Sequence, residues 1–254
     1  MNIRYINLDS YNAQSLLIDV YKFDFNARFL CNYLSKEIRK LNIKGDDTYR
    51  MICVRLSDSF SKIDLVYGSC RKDVLLILLH ISEKEQLLYN KMMNLTERYE
   101  FYLSLLERGY ILAAKYRNVP LDALLNLHEK FRKNNYKNEW VWKKKVIKNY
   151  GINIVFKCFF TTFDFKLELE VFDRQLKVLL VKGTVMQTGP DELFYDKEFR
   201  KLDIQDDRLV IKDFLDRSNF EFNLGELANG IFKVQYTGYQ PVVKYNELIK
   251  RITW

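Results

Sequence analysis

The spacing of apolar residues changes along this chain from a helical period to the two-residue period of β-strands. Between Asn26 and Leu41 apolar residues recur every three or four positions, which predicts a helix with Asn26 as its cap. The runs 49–56 and 74–81 predict strands, and the second is apolar enough to be buried on both faces. A short strand is also expected near residues 66–68. The first part of the chain therefore mixes helices and strands.

Helical periodicity returns between about residues 94 and 133. One apolar stripe begins after Asn94, and a second helix begins at Pro120. On this second helix Lys130, Lys133 and Lys137 are expected on the face opposite the apolar one. The lysines of this region are thus predicted to point into solvent.

After Asn138 the pattern becomes alternating. Residues 163–171 alternate apolar and polar side chains, which predicts a half-buried antiparallel strand that pairs with residues 152–160. Further strands are expected at 177–187, 200–204, 209–213, 220–224 and 231–236. The sequence therefore predicts an α+β protein. Its N-terminal mixed helix/strand domain, residues 1–137, is followed by a mostly antiparallel β domain, residues 138–254.

Composition narrows the class of protein. Hydrophobic residues make up 48% of the chain, which is enough for a packed core and excludes a disordered protein. The four cysteines (Cys31, Cys53, Cys70 and Cys158) form no Cys-x-x-Cys pair, so a zinc ribbon or a redox motif is not indicated. The most apolar run, 74–81, is far shorter than the ~20 residues that span a bilayer. No secretory signal is recognisable, and these features together predict a cytoplasmic protein that does not enter a membrane.

Motifs for catalysis are lacking in the sequence. It contains neither a P-loop nor a Gly-x-Gly-x-x-Gly pattern, and its two histidines, His80 and His128, fall on apolar segments where a structural role is expected. Carboxylate pairs at 46–47, 191–192 and 206–207 fall in expected turns, and the pair 168/170 falls on a polar strand face. We therefore expect no catalytic residue, metal site or cofactor. An enzyme with a non-standard carboxylate-based site stays as an alternative.

Residues 130–148, the basic strip, carry most of the net charge. Eight Lys or Arg residues and one Glu give +7 of the total +8, and four aromatic residues lie among them. Such a composition attracts both phosphate backbones and acidic protein surfaces. The candidate partner-binding residues are Lys133, Lys137, Trp140, Trp142, Lys143, Lys144 and Lys145.

Three interpretations of the basic strip compete. Lysines beside a strand also protect an exposed edge from pairing, which is a purely structural role. Binding of nucleic acid is the second, although no sequence signature of a nucleic-acid-binding domain accompanies the strip. The leading functional interpretation is a non-catalytic protein that binds a protein partner with an acidic surface. In size, composition and lack of catalytic motifs the chain is similar to the cytoplasmic immunity proteins of bacterial polymorphic toxins, which implies a toxin inhibitor.

Overall fold

A computed structural model describes residues 1–10, 16–57, 65–67 and 73–238. The chain divides into two compact units, Met1–Asn138 and Glu139–Trp254. The first unit mixes helices with a largely parallel sheet, and the strands of the second pair in antiparallel fashion. The predicted α+β fold class is therefore confirmed. None of the helices in the described part is long and apolar enough to cross a membrane.

The first unit is built on a four-stranded sheet. Its elements are β1 Tyr5–Asp9, α1 Val20–Leu41, β2 Met51–Ser57, β3 Leu65–Tyr67, β4 Val74–His80, α2 Glu83–Lys91, α3 Leu95–Ala114 and α4 Leu121–Lys133. The sheet order is β1-β2-β4-β3, in which β1, β2 and β4 are parallel and β3 is antiparallel to β4. Alternate residues of β4 are buried and half-buried, so this strand is less enclosed than its apolar sequence predicts.

Helix α1 begins earlier than its apolar period indicates. The Asp19 side chain accepts a hydrogen bond from the Lys22 N–H at 3.0 Å and caps the helix, because an unpaired N–H in the first turn needs an acceptor. The predicted cap, Asn26, instead lies buried within α1. At the other end the helix stops at Asn42, which adopts a left-handed conformation with φ 51°.

The first unit ends at a buried asparagine. The Asn138 side chain donates to the Phe29 carbonyl at 2.7 Å and accepts from Lys36 Nζ at 2.6 Å, so both of its polar groups are used on α1. Because a buried amide left without partners costs about 1–3 kcal/mol, these bonds favour this placement of residue 138.

The second unit contains two four-stranded sheets. Its elements are β5 Asn138–Ile147, β6 Ile152–Phe160, β7 Phe165–Asp173, β8 Leu179–Thr188, β9 Lys201–Gln205, β10 Arg208–Lys212, β11 Ser218–Asn223, α5 Leu224–Ala228 and β12 Gln235–Tyr236. The strand orders are β5-β6-β7-β8 and β12-β11-β10-β9. The predicted pairing of residues 152–160 with the 163–171 segment is present, with Cys158 opposite Leu167. The strand expected at 231–236 is limited to Gln235 and Tyr236.

Aromatic side chains form much of the second unit's interior. The Phe165 ring stacks on Tyr195 with the ring centroids 3.6 Å apart, and Phe156 lies 6.3 Å from Phe222, which links the two sheets. Phe156, Phe165 and Phe222 are almost completely buried. Burial of large rings of this kind is a main source of stability in β-rich units.

Candidate functional site

The basic strip is divided between the two units. Lys130, Arg132, Lys133 and Lys137 belong to the first unit, at and just beyond the end of α4, and Lys143 to Lys148 belong to the second. Each group of cations has its own surroundings.

Two cations at the end of α4 are neutralised by acids of the first unit. Lys130 forms an ion pair with Glu37 of α1, which also accepts a hydrogen bond from Lys40 at 2.6 Å. Arg132 binds Glu100 of α3 with two nitrogens, Nε at 3.0 Å and Nη2 at 2.9 Å. Such two-pronged Arg–carboxylate pairs join helices firmly, so these two cations serve the fold.

Arg132 holds further acids of the same unit. Its Nη2 lies 3.1 Å from Glu107, and its Nη1 lies 2.7 Å from Glu129, one turn earlier on α4. Because several carboxylates surround it, the pKa of the Arg132 guanidinium is raised well above its ordinary value, chiefly by the hydrogen bonds to Glu100. The surrounding carboxylates therefore stabilise the charged form of Arg132.

Lys133 and Lys137 are both exposed. Neither has an ion-pair partner within 4 Å among the described residues. Lys133 is the last residue of α4, where a positive charge is favoured by the helix dipole. Lys137 follows a turn in which Asn135 and Tyr136 have positive φ values of 52° and 55°. In the described part of the chain, these two lysines are therefore exposed cations that no carboxylate neutralises.

The two tryptophans of the strip pack against the interior of the second unit. The Trp142 ring lies 5.5 Å from Phe156 and 4.9 Å from Phe199, both in edge-on contacts. The Trp140 ring lies 5.9 Å from Phe165. Both indoles are half-buried, and their partners are core residues. Trp140 and Trp142 therefore hold β5 on its unit, as their spacing of two residues on one strand face allows.

Lys143, Lys144 and Lys145 follow directly on β5 and are exposed. In the part of the chain that the structure describes, none of them has an acidic group within 4 Å. Strand β5 lies at the end of the order β5-β6-β7-β8, so the lysines lie at the margin of this sheet. Their positions agree both with protection of a strand edge and with contact to a partner.

The alternation of β5 changes within this lysine run. Trp140 and Trp142 face the core, yet the next buried residue is Ile147, five positions after Trp142. A regular strand would bring residues 144 and 146 to the core side, because successive side chains alternate. Instead Lys144 and Val146 are exposed, so the alternation of buried and exposed side chains is not kept between Trp142 and Ile147.

The carboxylate pairs that sequence analysis noted are used in turns, caps and surface ion pairs. Asp46 accepts from the Thr48 N–H at 2.9 Å, and Asp191 accepts from the Leu193 N–H at 2.9 Å. Glu168 and Glu170 bind Lys182 at 2.7 and 3.5 Å on the polar face of β7.

One histidine lies beside a carboxylate. His128 Nδ1 is 3.1 Å from Glu107 Oε1, and the imidazole is completely buried among α3 and α4. Burial lowers the pKa of His128, and the hydrogen bond to Glu107 opposes that shift in part. Because the His128 side chain is only 1% exposed, it is not accessible to a substrate, and the pair joins α4 to α3.

A polar cluster that sequence reasoning missed lies at the carboxyl ends of β1 and β2. Arg55 holds Asp9 with two bonds of 2.6 and 3.1 Å, and Asp24 of α1 accepts from both the hydroxyl and the N–H of Ser10 at 2.7 and 2.8 Å. Burial raises the pKa of Asp24 to about 6. Ligands of parallel sheets usually bind at this edge. The polar residues in Asn7-Leu8-Asp9-Ser10 were the sequence signal that could have located this cluster.

The side chains of this cluster satisfy one another. Ser10 is completely buried, and burial together with the nearby Asp9 charge raises the pKa of the Cys53 thiol to about 12, so neither is a ready nucleophile. No group of three or more His, Cys, Asp or Glu side chains among the described residues is arranged to hold a metal ion. The cluster therefore joins β1, β2 and α1.

Comparison of the chain with family models, with curated proteins and with solved structures finds no match. The assignment of the site therefore depends on this chain's own residues.

Proposed function

We propose that the protein is a non-catalytic binding protein whose second unit recognises an acidic protein partner through Lys143, Lys144 and Lys145 of β5. The observation that carries the proposal is the difference in pairing within the basic strip. Lys130 and Arg132 have carboxylate partners in their own unit, whereas the three lysines of β5 are exposed and have none within 4 Å over the described residues.

The support beneath these lysines favours a binding role. Trp140 and Trp142 fix the strand that carries them by packing on Phe156, Phe165 and Phe199. Charges on a fixed strand keep their spacing, and a cluster of like charges chiefly accelerates association and selects a complementary surface. Lys133 and Lys137 are the corresponding exposed cations of the first unit and would add to the attraction for an acidic partner.

The test compares two double variants that change the charge equally. Lys143→Glu/Lys145→Glu reverses the β5 charges, and Lys84→Glu/Lys115→Glu reverses two exposed lysines of the first unit that lie outside the basic strip. Each immobilised protein is exposed to nuclease-treated lysate of the native host. It is also exposed to the product of the neighbouring gene, because the genes of a toxin and its immunity protein are usually adjacent.

The expected result is a stoichiometric protein partner that the wild type and the Lys84→Glu/Lys115→Glu variant retain. For this partner the β5 variant should lower the association rate about tenfold or more at low salt. Equal binding by both variants would contradict the proposal. Recovery of RNA or DNA alone, with a log–log salt slope of about −0.7 to −0.9 per phosphate contact, would instead establish the nucleic-acid alternative.

A further inference from the structure

An open hollow lies beside the lysines of β5 on the second unit. It has a volume of about 340 Å³ and is formed by three neighbouring strands and the turn after β7. Val146, Val155 and Phe172 give it an apolar lining, and Lys144, Lys177 and Asn153 supply its polar groups. This volume is at the lower end of the range of small-molecule pockets, about 300–1,000 Å³, and suits one or two side chains.

Strand pairing lines up residues of β6, β7 and β8 at this hollow. Asn153 lies opposite Phe172, which lies opposite Leu179, so these three residues form one row across β6, β7 and β8. Because of the change of alternation after Trp142, Lys144 and Val146 border the same hollow as this row. Val146 is 52% exposed and Leu179 is 51% exposed, which leaves apolar surface uncovered at this end of the sheet.

Lys177 is held by a well-defined turn. The Asp173 carboxylate accepts from the Gln175 and Leu176 N–H groups at 2.8 and 2.7 Å, and the Lys177 N–H donates to the Asp173 carbonyl at 3.0 Å. Lys177 adopts a left-handed conformation with φ 56°, which a lysine takes up only when its surroundings require it. This turn therefore fixes the backbone from which Lys177 reaches the hollow, on the side opposite β5.

The remainder of this sheet's polar face is different. Further along β6, β7 and β8, Lys157 binds Glu170 at 2.6 Å and Lys182 binds Glu168 at 2.7 Å, so the cations there are paired with acids across the strands. Around the hollow, Lys144 and Lys177 have no acid within 4 Å among the residues described. Charges are balanced at one end of the face, and an apolar surface bordered by two unneutralised lysines remains at the other.

We propose that this hollow receives an apolar side chain of the acidic protein partner, flanked by carboxylates that meet Lys144 and Lys177. The inference rests on the proposed function and adds to it the chemistry of the recognised segment, which is a leucine-like residue between acidic residues. Burial of the apolar side chain in the hollow contributes to the binding free energy, and the two lysines select carboxylates on either side of that side chain. Positive charge on the rim makes an acidic segment the complementary occupant.

Two defined peptides test the proposal. One is acetyl-Gly-Asp-Leu-Glu-Gly-amide, and its matched control is acetyl-Gly-Asp-Gly-Glu-Gly-amide, which has equal charge and no apolar side chain. Binding is followed by NMR on the full chain labelled at its valine methyl groups. The expected result is that the leucine peptide shifts the Val146 and Val155 methyl signals and binds at least about fivefold more tightly than the control peptide.

Variants separate this proposal from the proposed function. Val146→Glu should abolish the preference for the leucine peptide, and Lys177→Glu should weaken both peptides, while the variant Lys143→Glu/Lys145→Glu should keep the preference between them. Both hollow variants change exposed positions, and the unchanged dispersion of the remaining methyl signals verifies that they fold.

Equal affinity for the two peptides, or the absence of shifts at Val146 and Val155, would overturn the hollow as a recognition site. The proposed function would stand in that case if the β5 charge reversal still slowed association of the protein partner. Shifts produced by sodium octanoate but by neither peptide would identify a fatty-acid site and would likewise overturn the proposal.

Discussion

The two ends of the basic strip differ in what their charges contact. At the end of α4, Lys130 and Arg132 bind acids of α1 and α3, whereas Lys143, Lys144 and Lys145 of β5 have no acid within 4 Å among the described residues. Each end carries four Lys or Arg residues in the sequence. Whether a cation of this run joins elements of the fold or stays unneutralised therefore depends on acids that are distant in the sequence. Glu37, for example, is 93 positions from Lys130.

The largest expected effect is on the structural end. Arg132→Ala removes the cation that joins Glu100, Glu107 and Glu129, and leaves three carboxylates close together. Since Arg132 is about 25% exposed, solvent screens part of this loss, and we expect the free energy of unfolding of the first unit to fall by about 2 kcal/mol.

Urea unfolding followed by far-ultraviolet circular dichroism measures this change. The matched control is Lys133→Ala, the next residue of α4, which should change stability by less than about 0.5 kcal/mol. Similar losses for the two variants would show that the comparison between paired and unpaired cations is mistaken.

A second prediction concerns Asp24, an acid whose charged form is disfavoured by burial. Burial raises the pKa of Asp24 from 3.8 to about 6, whereas in Glu37 burial is outweighed by hydrogen bonds from Lys130 and Lys40, which lower the pKa. Folded Asp24 keeps its proton to a higher pH than unfolded Asp24. Its contribution is therefore fully present below pH 3.8 and is lost as the pH rises through about 6.

The substitution Asp24→Asn removes this pH dependence and keeps an oxygen that accepts from Ser10. Relative to the wild type, the variant should gain about 2 kcal/mol of stability between pH 4 and pH 8, from a pKa shift of about two units discounted for partial exposure. Denaturant titrations at both pH values measure it. A constant difference between the two proteins would refute the assignment of a raised pKa to Asp24.

The smallest expected effect is at the β5 end of the strip. Lys143→Ala and Lys145→Ala remove charges that contact no acid in the described part of the chain. Each should therefore change the free energy of unfolding by less than about 0.5 kcal/mol. Differential scanning calorimetry checks this. A loss as large as that of Arg132→Ala would mean that these lysines hold the second unit together.

The sequence predicted the elements with strong periodicity and missed those that depend on distant partners. The alternation at 163–171 identified β7 and its pairing with β6, because a half-buried strand carries its own signature. Strand β1 was missed because its alternation extends over only five residues, Tyr5–Asp9, and its polar Asn7 and Asp9 are paired with Cys53 and Arg55 on β2. Local pattern does not reveal such a partner.

The candidate site was only partly predictable for the same reason. Charge counting located the lysines of β5, but it did not reveal that Lys130 and Arg132 are paired with acids of their own unit. The hollow was not predictable, since Val146, Phe172 and Lys177 come together only through the register of three strands and one turn. The core-facing direction of Trp140 likewise required the position of Phe165, and that of Trp142 the positions of Phe156 and Phe199.

The five-residue interval between the core-facing Trp142 and the next buried residue, Ile147, has a consequence for how this chain tolerates changes in length. Deleting one lysine would place Ile147 four positions after Trp142, where an ordinary strand turns both side chains to the same side. Trp142 and Ile147 would then both face the interior, and the exposed part of β5 would have one lysine fewer. A single deletion in this run would therefore shorten the exposed cationic stretch and leave Trp142 and Ile147 on the same side of the strand.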